Sequence, residues 1–320
     1  MHSFTPDFMI IHKNTENIFI SEKSVVTVGS FDGVHGGHRK ILSRLTEISN
    51  EIQGCSVVIT FFPHPRHVLS HSGSPLFLLN TLEEKAARLS EAGIDHLVLV
   101  NFNERFSEMS PEEYIEQFLV AKFHPHTLVI GHDHRYGKER KGGFELMEQY
   151  AERGIFKLEE IPAHELKEAT ISSTLIRKKI LEGDIDEANQ LLGYPYRFSG
   201  LVVEGNKLGR TIGFPTANIK INDTTKLIPG FGVYIVIVKL ENGSEYRAMM
   251  HLGDRPSIND SSRSIEVHIL GFEGDLYGQE ITVILMGKLR DIVQFSDLEA
   301  LKTQLLLDRE RTARYFSDLT

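Results

Sequence analysis

The sequence of 320 residues contains one cysteine, Cys55, and no tryptophan. A single thiol excludes an internal disulfide and a cysteine-rich metal centre. Cys55 borders the apolar run Ser56-Val57-Val58-Ile59-Thr60-Phe61 and is read as a small core side chain. Basic charge is also scarce: 35 Lys and Arg stand against 44 Asp and Glu, a formal net charge of -9. A general binder of nucleic acid or of an anionic membrane needs the opposite balance, so neither partner is expected. No apolar run approaches the ~18 residues of a membrane span. The opening Met1-His2-Ser3-Phe4-Thr5-Pro6-Asp7 has no basic region ahead of an apolar stretch, so no signal peptide is expected. The expected setting is the reducing cytoplasm, and oligomeric state is left open. What the chain does have is a hydrophobic fraction of 41%, ample for packed cores, and a length that fits two domains.

In the first half, short apolar runs alternate with helical periodicities. Strands are predicted at 25–28, 56–61, 96–100 and 127–130, and helices at 38–50, 81–92 and 110–119. Thr81-Leu82-Glu83-Glu84 reads as a capping box, the hydroxyl taking a free amide and the carboxylate reaching back. Ser110-Pro111-Glu112-Glu113 adds proline at the first helical position, where its missing N–H costs nothing. Such alternation implies a parallel sheet covered on both faces. Helices at 173–181 and 185–192 are split by Gly183-Asp184. Beyond Gly193-Tyr194-Pro195 the runs become β-like, at 197–203, 233–240, 246–250, 265–270 and 281–285, with glycine and asparagine turns between them. These short strands predict a barrel or a sandwich. Ser296-Asp297-Leu298-Glu299 is read as another capping box, opening a last helix. The domains are drawn at 1–183 and 184–320.

Gly29-Ser30-Phe31-Asp32-Gly33-Val34-His35-Gly36-Gly37-His38 lies where a predicted strand gives way to a helix. Free N–H groups and the helix dipole favour an anion there, and glycines let the backbone come close. His35 and His38 can donate hydrogen bonds to phosphate oxygens as charge builds in a transition state. The competing readings are two surface histidines in a glycine-rich turn, or a zinc pair completed by Asp32. Ile171-Ser172-Ser173-Thr174-Leu175-Ile176-Arg177 places three hydroxyls at a helix start and an arginine one turn in, a second set of phosphate partners. The plainer reading is an N-cap and a solvated arginine.

A second phosphate signature follows in the β-rich half: Gly205-Asn206-Lys207-Leu208-Gly209-Arg210, then Gly213-Phe214-Pro215-Thr216-Ala217-Asn218. Backbone amides of such a loop cradle phosphates. Thr216 and Asn218 alternate onto one side of an extended segment, so both oxygens can face Mg²⁺ or another divalent cation. Glu266, in Ser264-Ile265-Glu266-Val267-His268-Ile269, shares a strand face with His268. In a cavity it can act as general base; on an open face it is merely solvated.

These motifs, with Thr60-Phe61-Phe62-Pro63-His64-Pro65-Arg66 and Gly131-His132-Asp133-His134-Arg135-Tyr136-Gly137, resemble the bacterial bifunctional riboflavin kinase/FAD synthetases. The first half is similar to their adenylyltransferase, of the His-x-Gly-His nucleotidyltransferase superfamily. The second half, with Gly274-Asp275-Leu276-Tyr277-Gly278 and Leu289-Arg290-Asp291, is similar to their riboflavin kinase module. The resemblance implies an α/β plus β chain: a Rossmann-like parallel-sheet domain, then a small antiparallel β-barrel with a terminal helix. It implies ATP as co-substrate of two reactions, riboflavin to FMN and FMN to FAD.

By the same resemblance His35, His38 and Arg177 are catalytic in the first domain. Gly29, Phe31, Asp32, Gly37, Ser172, Ser173 and Thr174 contact its ATP, and Pro63 and Asp133 lie toward the flavin. In the second domain Glu266 takes the ribityl hydroxyl proton and Thr216 and Asn218 hold the metal. Gly205, Lys207, Gly209, Arg210 and Gly213 contact its ATP, and Arg290 lies near the flavin. Phe62, His134, Tyr136 and Leu175 depart from the family pattern, as does His251-Leu252-Gly253-Asp254-Arg255-Pro256-Ser257. Two alternatives therefore stand beside this expectation: a riboflavin kinase with a weakened or inactive adenylyltransferase half, and a non-enzymatic flavin-binding regulator.

Overall fold

The computed structural model describes residues 9–13, 18, 20, 23–69, 76–132, 134–162, 171–205, 208–254 and 263–318. The chain divides into two compact units, Met1–Ser173 and Thr174–Thr320.

The first unit is built on a six-stranded sheet of β1 (Ile10–His12), β2 (Ser24–Val28), β3 (Cys55–Phe62), β4 (His96–Asn101), β5 (Thr127–Gly131) and β6 (Lys157–Ile161). Its order is β1-β4-β3-β2-β5-β6, and every pairing is parallel. Side chains alternate across a strand, so each face gathers its own core. Val26, Val28, Val57, Ile59, Val98 and Val100 enter one, whereas Val25, Val58, Leu97 and Leu99 enter the other. Cys55 is buried in the first, as its apolar context predicts.

Helix α1 (Gly36–Glu51) covers the second face through Leu42, Leu45 and Ile48. After α2 (Pro65–Leu69), helix α3 (Leu82–Glu91) forms the predicted capping box, Glu84 N donating to Thr81 Oγ1 at 3.2 Å and Thr81 N to Glu84 Oε2 at 3.0 Å. Past α4 (Glu104–Ser107), the box at Ser110 opens α5 (Pro111–Glu113). The expected α-helix then widens into a π-helix, Tyr114–Val120, before α6 (Ala121–Phe123). The wider register brings Tyr114, Ile115, Phe118 and Leu119 all into the core, where packing outweighs local helical preference. Helix α7 (Phe144–Glu152) completes this unit.

The second unit holds a closed antiparallel barrel of β7 (Arg197–Val203), β8 (Ala217–Lys220), β9 (Gly232–Leu240), β10 (Glu245–Asp254), β11 (Arg263–Ile269) and β12 (Glu280–Arg290), in the order β10-β11-β8-β7-β12-β9. Closure removes the exposed edges an open sheet would leave. Helices α8 (Ser173–Glu182) and α9 (Ile185–Leu192) precede it, and α10 (Leu208–Thr211) follows β7. The boundary drawn at 183 puts α8 in the first domain, yet the compact-unit division places nearly all of it with the barrel. The reason is packing: Gly230 N donates to Ile180 O at 3.3 Å, and Leu181 O lies where a Cβ at Gly230 would stand.

The last helix, α11 (Leu298–Ser317), is capped by Asp297 rather than by Ser296. Asp297 Oδ1 accepts from Ala300 N at 2.8 Å, while Ser296 Oγ donates to Asp297 itself, so the expected Ser296–Glu299 box does not form. A carboxylate neutralises the amides at a helix start better than a hydroxyl, which decides the cap.

Arg290, expected near the flavin, fastens this helix to the barrel. Its Nε donates to both oxygens of Asp308, at 3.1 and 3.0 Å, and its Nη2 to Oδ2 at 2.7 Å. Asp308 is fully buried and Gln304 Nε2 donates to its other side at 2.8 Å. The charged residues of α11 are thus not all solvated. Asp308→Asn is expected to destabilise the second unit by about 3–5 kcal/mol, since it strands the Arg290 guanidinium; thermal unfolding measures it.

Candidate active sites

In the first unit the turn 29–38 links β2 to α1. The helix begins at Gly36, two residues before the predicted start, so His35 is the N-cap and His38 falls in the first turn. A separation of three brings residues to one helix face. The rings stack at 3.7 Å with 17° between planes, and Phe31 meets His38 edge-on at 5.2 Å. No side chain caps α1 and no acidic residue sits in its first turn, so its amides stay available to an anion. Phe31 and Val34 have φ of 45° and 37°, left-handed conformations that cost about 1–3 kcal/mol each and gather at functional turns.

Burial lowers the His38 pKa well below 6.5, and the neighbouring His35 and Lys85 push it the same way. His38 is therefore neutral at pH 7, a single N–H donor. Because its folded pKa is depressed, the unfolded state binds more protons below 6.5, and the folded state loses stability as pH falls through that value. Urea unfolding at a series of pH values should show this acid loss, reduced in His38→Ala.

Ser173 Oγ donates to Asp32 O at 2.9 Å, and Ile171 O lies 3.9 Å from the place a Cβ on Gly37 would occupy. The serine-rich segment and the histidine turn, 133 residues or more apart, thus meet. Ser172 and Thr174 are exposed beside Ser173, and Arg177 lies one turn into α8.

Two of the expected ATP contacts have side chains that are buried and engaged within the fold. Phe31 is buried in the core, its ring edge packed against His38. Asp32 is buried and its carboxylate accepts from Leu79 N at 3.0 Å and Asn80 N at 3.2 Å. Amide donors have taken the oxygens that the zinc reading required, and no group of three His, Cys, Asp or Glu side chains placed to hold a metal occurs among the described residues.

Sequence reasoning missed Lys85. It is buried, its ammonium donating to Ser30 O at 2.7 Å, and Thr60 Oγ1 donates to the same carbonyl at 3.1 Å. The signal was a lysine on the Leu82-Lys85-Ala86-Leu89 stripe of α3. Desolvation lowers its pKa while Asp32 raises it. Lys85→Met is expected to weaken the first unit by about 1–3 kcal/mol, because Ser30 loses a charged donor. Denaturant unfolding reads the loss.

Toward the far end of β3, Phe62 is exposed and Pro63 follows it through a cis peptide bond. Asp133 lies outside the described residues. Tyr136, one of the departures, is a core residue: it stacks on Tyr114 at 4.9 Å, and its hydroxyl donates to Gly143 O at 3.1 Å.

The second site lies on the barrel. Glu266 of β11 pairs in register with Asn218 of β8 on one side and His251 of β10 on the other. Its neighbours Ile265 and Val267 are buried, and it stands half-buried between them on the opposite face, with His268. Thr216 Oγ1 donates to Glu266 Oε2 at 3.2 Å and Ser264 Oγ to Oε1 at 3.0 Å, so this carboxylate is not simply solvated. His268 instead hydrogen-bonds Pro215 O at 2.8 Å.

Gly205 is required by close approach: a Cβ there would stand 2.1 Å from Asn218 Nδ2. At Gly209 a Cβ would meet Phe214 O at 2.1 Å, so the loop between them closes only on glycine. Arg210 Nη2 donates to the Tyr277 hydroxyl at 3.1 Å, and Gly213 follows in the turn after α10. Arg210, Thr216, Phe272, Leu276 and Tyr277 line a cleft beside Glu266's partner Thr216. Lys207 lies outside the described residues.

Comparison with known proteins finds relatives of both halves of the chain. Residues 18–175 match the family model for FAD synthetase, and residues 192–316 that for riboflavin kinase. A bifunctional riboflavin kinase/FMN adenylyltransferase of Listeria monocytogenes is 38% identical over 309 residues, covering 96% of this chain and 97% of that protein. The Escherichia coli K12 enzyme of the same description is 36% identical, over 93% of this chain and 94% of its own length. A crystal structure from Streptococcus pneumoniae, described as a macrolide-efflux protein, superposes with a TM-score of 0.86 at 31% identity, over 95% of this chain and 98% of that one. Among the described residues no helix is long and apolar enough to cross a membrane. On sequence, length and the order of its two units, the chain belongs to the family of bifunctional riboflavin kinases/FMN adenylyltransferases.

Proposed function

We propose that the chain makes FAD from riboflavin in two ATP-consuming steps, each at its own site. In the second unit Glu266 accepts the proton of the ribityl 5′-hydroxyl, and that oxygen attacks the γ-phosphorus of ATP to give FMN and ADP. The observation that carries this reading is the convergence on Glu266 of Thr216, Ser264 and Asn218. The Thr216 and Ser264 hydroxyls hold the carboxylate in place and can turn to other acceptors when substrates bind. The ATP lies along the cleft of Arg210, Thr216 and Tyr277.

The hard oxygens of Thr216 and Asn218 suit Mg²⁺, which takes few protein ligands and completes its shell with waters and phosphates. When bound there the ion would neutralise phosphate charge. Glu266 is left to move the proton, and positioning supplies most of the remaining acceleration.

In the first unit an oxygen of the FMN phosphate attacks the α-phosphorus of a second ATP and pyrophosphate leaves. The open amides of α1 and the N–H groups of His35 and His38 take the growing charge on the phosphates. Ser172 adds a hydroxyl, while Ser173 braces the turn through Asp32 O. We place both reactions in the cytoplasm.

Incubating the chain with riboflavin, ATP and Mg²⁺ and separating flavins over time tests both steps. FMN should rise first and FAD follow. Accumulation of FMN without FAD would remove the first-unit reaction; unchanged riboflavin would remove the second-unit reaction, and the same assay started from FMN then tests the first.

A further inference from the structure

We propose that His251 is a positioning residue of the kinase site, whose imidazole decides when Glu266 is free to accept a proton. This rests on the reading of Glu266 as base. His251 and Glu266 are direct cross-strand partners of β10 and β11. Residues so paired have Cβ atoms about 4.5–5.5 Å apart on one face, within reach of an imidazole and a carboxylate. The ring leans along β10 toward Gly253, its Cε1 2.8 Å from where a Cβ on that glycine would stand. Gly253 is the register partner of Ser264, the residue that donates to Glu266 Oε1. The imidazole therefore leans toward the Ser264 end of the pair, while Thr216 meets the other carboxylate oxygen of Glu266.

Among the described residues, two charged groups act on His251 from the strands around it. Glu266 of β11 favours the imidazolium, and Arg290 of β12, itself tied to Asp308 of α11, opposes it. The partner on β9 is Val233, which carries no charge. Arg309 of α11 acts on His268, not on His251. Part of the ring is open to solvent; burial of the rest lowers its pKa below 6.5, Glu266 pulls it back and Arg290 lowers it again. At neutral pH the ring is neutral, and only hydroxyls hold the carboxylate. As pH falls the imidazolium forms and pairs with Glu266, and the negative charge that must take the substrate's proton is engaged. Riboflavin phosphorylation thus carries an acid limb that belongs to His251, below pH 6.5, which FMN adenylylation lacks.

The test follows kcat/KM for both reactions from about pH 5 to about pH 8 in the full chain, in His251→Asn and in Glu266→Gln. In His251→Asn the kinase limb should move to lower pH, raising activity at about pH 5 by about threefold or more relative to its own plateau, with the adenylylation profile unchanged. In parallel, the His251 ring proton, assigned by its loss in His251→Asn, should titrate at lower pH in Glu266→Gln than in the natural chain. A kinase limb that stays put in His251→Asn, or a His251 titration that ignores Glu266→Gln, overturns the proposal and leaves the base in place if Glu266→Gln is inactive. A fully active Glu266→Gln removes the base and this proposal with it.

Discussion

Glu266→Gln is expected to slow riboflavin phosphorylation by about 10²–10⁴-fold while FMN adenylylation stays at its natural rate. Glutamine keeps the length of the side chain, and its carbonyl oxygen can still accept from Thr216 or Ser264, so the barrel should fold unchanged. What it removes is the negative charge and the capacity to carry a proton. The loss should therefore appear in kcat more than in KM for ATP. Steady-state assays of the two half-reactions on one preparation separate the outcomes. A kinase within a fewfold of the natural rate would exclude Glu266 as base, and a fall in both activities would point to misfolding.

His38→Ala is expected to have a comparable effect on the other reaction: FMN adenylylation falls by about 10²–10³-fold, with riboflavin phosphorylation intact. His38 sits in the first turn of α1, stacked between His35 and the edge of Phe31. Its low pKa means that it acts as a neutral donor and that two positive rings are never forced together at 3.7 Å. A triphosphate arriving at the helix N-terminus supplies the opposite charge and strengthens that hydrogen bond as the transition state forms. Alanine keeps helix propensity and deletes the donor together with the ring that stacks on His35. Single-turnover formation of FAD from FMN and ATP reads the step directly. A rate within threefold of the natural chain would take His38 out of the chemistry.

Much of this molecule was legible residue by residue. The strand at 197–203 and the caps at Thr81 and Ser110 followed from short-range rules, and the structure has them where the rules put them. The cap at Ser296 did not, because a carboxylate next door competed for the same amides. Strands β1, β6 and β8 escaped notice. Each is short, with exposed or half-buried positions, and exists because a neighbouring strand offers it hydrogen bonds. Asp32 looked like a site residue by its place in a motif. Its amide partners at 79 and 80 lie too far along the chain for any local pattern to reveal.

The residue types and spacing along the chain determined the features from which the chemistry is argued: two glycine-rich loops, a histidine pair three apart, a carboxylate on an alternating strand, and an excess of acidic over basic residues. Tertiary structure decided which of those residues face each other. Sheet register alone set Glu266 between Asn218 and His251, and chain closure alone turned Lys85 inward and tied Arg290 to Asp308. The reason is range. A cap or a stripe is an interaction over three or four residues, whereas a carboxylate's partners come from strands tens of residues away, and only the shared core brings them together.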